Sequence, residues 1–169
     1  MFLTDTGRRE KPDMDRLIAE YGSNLLRLCC LYLRDRAQAE DAVQDTFIKV
    51  YEKYASFEGR SSEKTWITSI AVNICRNYLR SPWRRRSAGE DGLYLVEQNP
   101  PELPDGTVTR AVMKLPSKYR EVVLLAYYQE MKLREIAEML KIPQATAATR
   151  LRRARLMLQD ELKEWYFDE

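Results

Sequence analysis

The chain contains no histidine among its 169 residues. Without an imidazole it lacks the commonest general base, the Ser-His-Asp and Cys-His nucleophile arrangements, and the commonest ligand of zinc. Cysteine is sparse too. Cys29 and Cys30 are adjacent and Cys75 stands alone in an apolar-periodic stretch, so there is no spaced CxxC pair and the three read as reduced core thiols. No metal site, no cofactor and no catalytic residue follows, and an enzyme is not expected. Six glycines and seven prolines, with no alternating Val/Ile/Thr pattern, point to an all-α chain. Long hydrophobic runs are missing as well: no stretch of about 18 apolar residues occurs, and the opening MFLTDTGRREKPDMDR holds no apolar run of signal-peptide length. The expectation is a cytoplasmic protein with no membrane insertion of its own. A charge imbalance is also lacking, since 28 Lys and Arg face 26 Asp and Glu for a net +2, so the totals do not announce a polyanion binder.

What is present is helical period. Leu17, Ile18, Tyr21, Leu25, Leu28 and Leu31/Tyr32 recur at three- and four-residue steps, predicting a first amphipathic helix that stops near Arg34-Asp35. A second starts at Arg36-Ala37 with Ala39, Val43, Phe47, Val50 and Tyr54 on one face. A polar loop, Phe57 to Lys64, leads to a third helix from Thr65 or Trp66 to Leu79, closed by Ser81-Pro82. From Arg86 the period fails, and prolines, glycines and acids mark a flexible acidic linker over residues 86–106. Helical patterns resume at Val108–Leu115, Lys118–Tyr128, Leu133–Leu140 and Gln144–Glu164. The expected architecture is two small helical domains, residues 13–85 and 107–165, joined by that tether.

Local charge separates what the total conceals. Between Arg60 and Arg86 the basic residues Arg60, Lys64, Arg76, Arg80, Arg84, Arg85 and Arg86 are opposed only by Glu63. Between Lys132 and Arg155 seven basic residues meet only Glu135 and Glu138. Each module therefore keeps a basic face, which suits one polyanion gripped twice.

The strongest motif runs from Leu133 to Arg155. A short helix with Ile136, Ala137 and Leu140 inward, a tight turn at Lys141-Ile142-Pro143 and a second helix form a helix-turn-helix pattern. At 100° per residue, Ala147, Leu151, Ala154 and Leu158 share the buried stripe, while Ala145, Thr149, Arg152, Arg153 and Leu156 face away. That outward face fits a major groove: Thr149 can reach a base edge or phosphate, Arg153 carries the forked donors that read guanine, and Arg150 and Arg155 flank the stripe toward phosphates. The alternative is a solvated basic helix in an ordinary αα-hairpin.

The third helix aligns Ser69, Asn73, Arg76 and Arg80 on one face, with Asn77 beside them, opposite a core side of Ile67, Ile70, Ala71, Ile74 and Tyr78. Asn and Arg in a row reach phosphates and base edges. The loop before it offers Arg60, Ser61, Ser62, Lys64 and Trp66, donors mixed with an aromatic that suit a single-stranded or flipped base, although Trp66 equally fits a core anchor. The second helix presents Asp41, Asp45, Lys49 and Glu52, with Gln44 and Ile48 at the edge. This is either a solvated face or a protein-docking surface that repels DNA.

Taken together, Ala39-Glu-Asp-Ala-Val-Gln-Asp-Thr-Phe-Ile-Lys-Val-Tyr51, Phe57 through Asn73, Leu115-Pro-Ser-Lys-Tyr-Arg-Glu-Val-Val-Leu-Leu125 and the helix-turn-helix closely resemble the extracytoplasmic-function sigma factors of bacterial RNA polymerase, over roughly residues 13 to 165. The resemblance implies a region 2 domain and a region 4 domain. The helix holding Asp41, Gln44, Asp45, Ile48 and Glu52 is similar to region 2.2, which docks on the β′ clamp helices of core polymerase. The Glu58–Lys64 loop resembles the loop that captures a flipped base of the minus-10 element. With it, the minus-10 residues are Arg60, Ser61, Ser62, Lys64, Trp66, Asn73, Arg76, Asn77 and Arg80. Region 4 implies minus-35 contacts from Gln144, Thr146, Thr149, Arg150, Arg152 and Arg153, with its outer surface on the β flap. Binding of unstacked bases offsets unpairing, so strand opening needs no nucleotide hydrolysis. An anti-sigma factor is the expected inhibitory partner.

The chain departs from that pattern at three places. Lys132 stands where the family has a Ser or Thr cap, worth about 1 kcal/mol. Lys141 replaces the turn glycine, at a cost on the order of 1 kcal/mol if φ is positive. Ala145-Thr-Ala-Ala-Thr149 replaces Gly-Thr-Val-Lys-Ser. The principal rival is a self-sufficient helix-turn-helix repressor, which would dimerise on a palindrome and leave the acidic face of the second helix without a partner. A pure interaction protein would leave the Asn/Arg face unexplained.

Overall fold

The computed structural model describes residues 11–81 and 106–166, with side chains through 163. Seven α-helices occur among the described residues, and no strand. The acidic tether and the arginines at 84–86 lie outside them, apart from Gly106, which the sequence pattern left in the tether and which is the first residue of a helix.

Three helices make the first module: α1 (Met14–Leu33), α2 (Arg36–Lys53) and α3 (Glu63–Arg80). Each starts on a side chain that accepts a hydrogen bond from an otherwise orphan backbone N–H three residues on. Asp13 accepts from Arg16 at 3.1 Å, Asp35 from Gln38 at 3.0 Å and Ser62 from Thr65 at 3.0 Å. Caps of this kind are worth about 1 kcal/mol each. The cap at Ser62 starts α3 two residues before the position expected from the apolar pattern, which begins only at Trp66. Arg34, with φ 57°, ends α1 in the left-handed region so that α2 can double back. A 3-10 turn over Tyr54–Ser56 closes α2.

The second module holds α4 (Gly106–Lys114), α5 (Ser117–Val123), α6 (Leu133–Leu140) and α7 (Gln144–Tyr166). The continuous helix expected over 118–128 instead widens after Val123 into a π turn, Leu124–Tyr128, where the Gln129 N–H reaches the Leu124 carbonyl at 3.1 Å. Glu130 then turns the chain at φ 54°.

The helical stripes are buried much as their period requires. Leu17, Leu25, Leu28, Leu31, Val50, Ile67 and Val72 fill the first module, and Val122, Leu124, Leu125, Ile136, Leu140, Ala147, Leu151 and Ala154 the second. Full burial of a leucine contributes roughly 2 kcal/mol. Ile18 is an exception: it is 49% exposed, one position off the stripe that Leu17 anchors. Cys29, Cys30 and Cys75 are buried free thiols, the Cys75 thiol donating to the Cys29 sulfur at 3.5 Å. Burial lifts the Cys30 thiol to about 11, leaving it protonated and unreactive.

The two modules pack on each other, and their buried side chains form one continuous core. The C-terminal half of α1 meets α5 and its π turn. Along this seam the Arg120 guanidinium, nearly fully buried, donates to the backbone carbonyls of Tyr32 at 3.1 Å and Leu115 at 3.0 Å, and Arg34 donates to Leu115 at 3.1 Å. Burial, with Arg34 close by, pulls Arg120 down to about 10. No helix among the described residues is long and apolar enough to cross a membrane.

Candidate nucleic-acid interface

In the first module the candidate loop is held at both ends. Phe57 stacks on Trp66 with ring centres 4.8 Å apart, and Tyr54 meets Trp66 edge-on at 5.9 Å. Trp66 is thus half-buried in an aromatic cluster that stiffens the loop's base. Gly59 takes φ 72°, which lets the chain reverse between Glu58 and Arg60. Arg60 is highly exposed and, among the described residues, pairs with Glu58 at 2.8 Å; Ser61 is exposed, Ser62 is spent as the α3 cap, and Lys64 is half-buried.

Glu63, which the sequence pattern treats merely as the lone acid of a basic stretch, organises this end of the module. Its carboxylate accepts both guanidinium nitrogens of Arg16 at 3.0 Å, the Tyr21 hydroxyl at 3.0 Å and the Tyr54 hydroxyl at 2.6 Å. Arg16 foremost, then the two phenols, hold its pKa at about 2 against the cost of burial. A single acid beside two tyrosines and an arginine that are distant in sequence gives no local signal.

On α3, Asn73, Asn77 and Arg80 are exposed on one face as the spacing requires. Arg76 is not in solvent with them. It turns toward the second module, where its guanidinium donates to the Leu140 carbonyl at 3.4 Å and lies 3.6 Å from a Glu121 carboxylate oxygen. The exposed row expected from the period is therefore broken at its centre by a tertiary partner.

In the second module α6 and α7 form the helix-turn-helix. Lys132 supplies no side-chain cap, but Glu135 reaches back to accept from the Lys132 N–H at 2.8 Å. Lys141 sits at φ 55°, ψ 46°, so the position does demand the left-handed conformation that glycine adopts freely. On α7, Gln144, Arg152 and Arg153 are exposed, and Thr146, Thr149 and Arg150 are half-buried. Arg150 lies 3.8 Å from the Glu121 carboxylate. Thr146, Thr149, Arg150 and Arg153 line a pocket of about 280 Å³ together with Lys118 and Tyr119. The Arg153 guanidinium beside it, with the Lys118 ammonium, holds the Tyr119 phenol below its ordinary pKa. Lys118 and Tyr119 belong to α5 and adjoin α7 only in space, so their local sequence carries no signal of this pocket.

On α2, Asp41, Gln44, Ile48 and Glu52 are exposed, and Tyr51 joins them as a second uncovered apolar side chain. Ile48 is 57% and Tyr51 47% exposed. Asp45 is half-buried and accepts from the Tyr78 hydroxyl at 2.5 Å. Asp45, Ile48, Lys49 and Glu52 border a groove of about 370 Å³ whose far wall is Ile74, Asn77 and Tyr78 of α3.

A helix-turn-helix module that presents threonines and arginines packs beside a three-helix module that carries an acidic-apolar groove, and the families that match the two modules make this the build of a promoter-specificity subunit. The sigma-70 region 2 family matches residues 17–85 and the sigma-70 region 4 family residues 106–158. The extracytoplasmic-function sigma factor SigW of Bacillus subtilis is 31% identical over 92% of this chain and 93% of its own. The sigma-H factor of Pseudomonas aeruginosa is 27% identical over 92% and 89%. Among solved structures, the sigma factor RpoE in complex with the anti-sigma factor NepR from Bartonella quintana superposes with a TM-score of 0.67 at 24% identity, covering 93% of this chain and 99% of that one. CnrH in complex with the cytosolic domain of CnrY gives 0.65 at 23%, covering 89% and 88%. The chain belongs to the extracytoplasmic-function sigma factors of the sigma-70 family. It acts in promoter-specific initiation with core RNA polymerase and promoter DNA, and it is not an enzyme.

Proposed function

We propose that the two modules divide the promoter between them and that α2 carries the chain onto polymerase. Residues 13–85 bind the clamp helices of β′ through Asp41, Gln44, Asp45, Ile48 and Glu52. They read the minus-10 element through the Arg60–Lys64 loop, Trp66, Asn73, Arg76, Asn77 and Arg80, and capture of an unstacked base there promotes strand opening. Residues 107–165 read the minus-35 element through Gln144, Thr146, Thr149, Arg150, Arg152 and Arg153, with Lys118 and Tyr119 completing a phosphate cradle on the same face. The site of action is the cytoplasm, where the polymerase is, and an anti-sigma factor is the natural inhibitory partner.

The observation that carries this reading is the character of α2. Two large apolar side chains, Ile48 and Tyr51, are left uncovered on an acidic face, while the adjoining helix presents asparagines and arginine. An acidic-apolar face beside a basic one separates a protein-binding surface from a DNA-binding surface. Ile48→Lys tests it. Ile48 anchors nothing inside the module, so folding is expected to persist, whereas affinity for core polymerase falls at least about tenfold, the scale of losing one buried interface anchor. Run-off transcription with core polymerase and the intact chain should select a subset of genomic promoters, and Ile48→Lys should lower that output. Unchanged polymerase affinity would sink the docking surface.

A further inference from the structure

Glu121 stands at the seam between the modules, nearly fully buried, and gathers cations from both. One of its oxygens accepts the Tyr32 hydroxyl at 2.5 Å and lies 3.6 Å from Arg76 of the first module; the other lies 3.8 Å from Arg150 of the second. Arg76 and Arg150 are the residues proposed above for the two promoter elements, one from each reading face. Arg76 also plugs the C-terminal end of α6 through the Leu140 carbonyl, at the entrance to the helix-turn-helix turn. Arg60 and Ser61 of the loop and Trp66 of α3 face Lys132, Arg134 and Glu138 across a groove of about 510 Å³.

From this arrangement we propose that Glu121 is a latch. It stands in for a DNA phosphate, holds one arginine of each reading face, and keeps the free chain closed with those two arginines withheld from DNA. The latch rests on the assignment of Arg76 and Arg150 as DNA contacts.

The physical case lies in the charge balance. Two guanidiniums within 4 Å of one carboxylate leave the cluster net positive, and that carboxylate offsets their mutual repulsion. Take its charge away and two half-buried cations lose their shared anionic partner, which favours separation. A phosphate offers each arginine the same anionic oxygens, singly and bidentately, once the modules part. The Arg–Glu121 separations are those of ion pairs and not of tight hydrogen bonds, so the grip is releasable. The firmer contact, Tyr32 to Glu121, positions the carboxylate and touches neither reading face. Only the fraction of molecules that is open can bind both elements, and apparent affinity drops by that fraction.

The test uses the full chain with spin labels at Glu40→Cys and Asp160→Cys, exposed positions in different modules, and a duplex fragment carrying a promoter identified by run-off transcription. The unsubstituted Glu121 chain should give one narrow inter-label distance and weak binding to the duplex without polymerase. Glu121→Gln should broaden the distance toward longer values and tighten duplex binding about tenfold, as expected if roughly a tenth of the molecules are open beforehand. Should Glu121→Gln compromise folding of the second module, Tyr32→Phe offers an independent route, since it frees the carboxylate without altering charge and should broaden the distance to a smaller degree. A broad distance with Glu121 in place, or a narrow one retained in both variants, overturns the latch. Opening without any gain in duplex affinity refutes the masking. Arg76→Ala and Arg150→Ala in the polymerase complex then assign the fault: undiminished promoter binding would mean that the DNA-contact reading failed and the masking with it, while the inter-label distances report the closure separately.

Discussion

Two carboxylates in this chain keep similar company. Glu63 and Glu121 each meet arginine and tyrosine, and each is largely withdrawn from solvent, yet the geometry differs. Glu63 is gripped by Arg16, Tyr21 and Tyr54 at 2.6 to 3.0 Å, every partner coming from its own module. Glu121 has one short bond, to Tyr32, and two arginines at 3.6 and 3.8 Å, with Tyr32 and Arg76 coming from the other module. The first is a permanent fixture of a folding unit; the second is a joint between units. Distance and ownership of the partners, more than their chemical types, separate a structural carboxylate from a conditional one.

The largest effect that should sharpen this contrast comes from Glu63→Gln. Removing charge-assisted bonds from a carboxylate with saturated oxygens should destabilise the first module by about 2 kcal/mol at neutral pH, read from urea unfolding, and should leave the inter-module distance narrow. Its pH signature is also specific. The folded pKa of about 2 lies below the ordinary 4.5, so Glu63 stabilises the fold above that ordinary value. The contribution fades as pH falls from about 4.5 toward 2, and across that window the gap between wild type and Glu63→Gln should close. A gap that persists at low pH would remove Glu63 from this role.

A smaller effect, about 1 kcal/mol, is expected from Tyr32→Phe, the loss of a single buried hydrogen bond. In contrast to Glu63→Gln, it should loosen the seam before it loosens either module, so inter-module opening should precede loss of helicity during urea titration. Coincident transitions would place Glu121 in the same structural class as Glu63. Smaller still, Lys141→Gly relieves a left-handed non-glycine residue within the second module alone. It should raise stability by roughly 0.5 to 1 kcal/mol, the gain being trimmed by glycine's freedom in the unfolded chain. Thermal unfolding would register it, and any shift in inter-module distance would show that the turn and the seam are coupled.

Much of the architecture was legible because it rests on local period. The buried stripe Ala147, Leu151, Ala154 and partly buried Leu158 on α7 follows from 100° steps, whereas the Ser62 cap, which starts α3 at Glu63, lies ahead of the apolar period. Ile18 failed because a stripe of this width resolves neighbours by only one position. Gly106 failed because glycine reads as punctuation, although it opens α4. The π turn after Val123 leaves no mark on hydrophobic spacing. At the candidate interface, Asn73, Asn77, Arg152 and Arg153 are exposed as their spacing indicated, whereas Arg76 and Arg150 are engaged by Glu121. Arg76 and Glu121 are far apart in sequence and joined only by packing, and a window of a few turns cannot register such a partner. Lys118 and Tyr119 escaped for the same reason.

The division of the promoter between Arg76 and Arg150 is tested most directly by footprinting the polymerase complex on a promoter that this chain selects. With Arg150→Ala, we predict loss of protection around the minus-35 element while the minus-10 region stays protected in the complexes that form. With Arg76→Ala the pattern should be the reverse. Equal protection of both elements with either substitution would contradict the assignment of one arginine to each element.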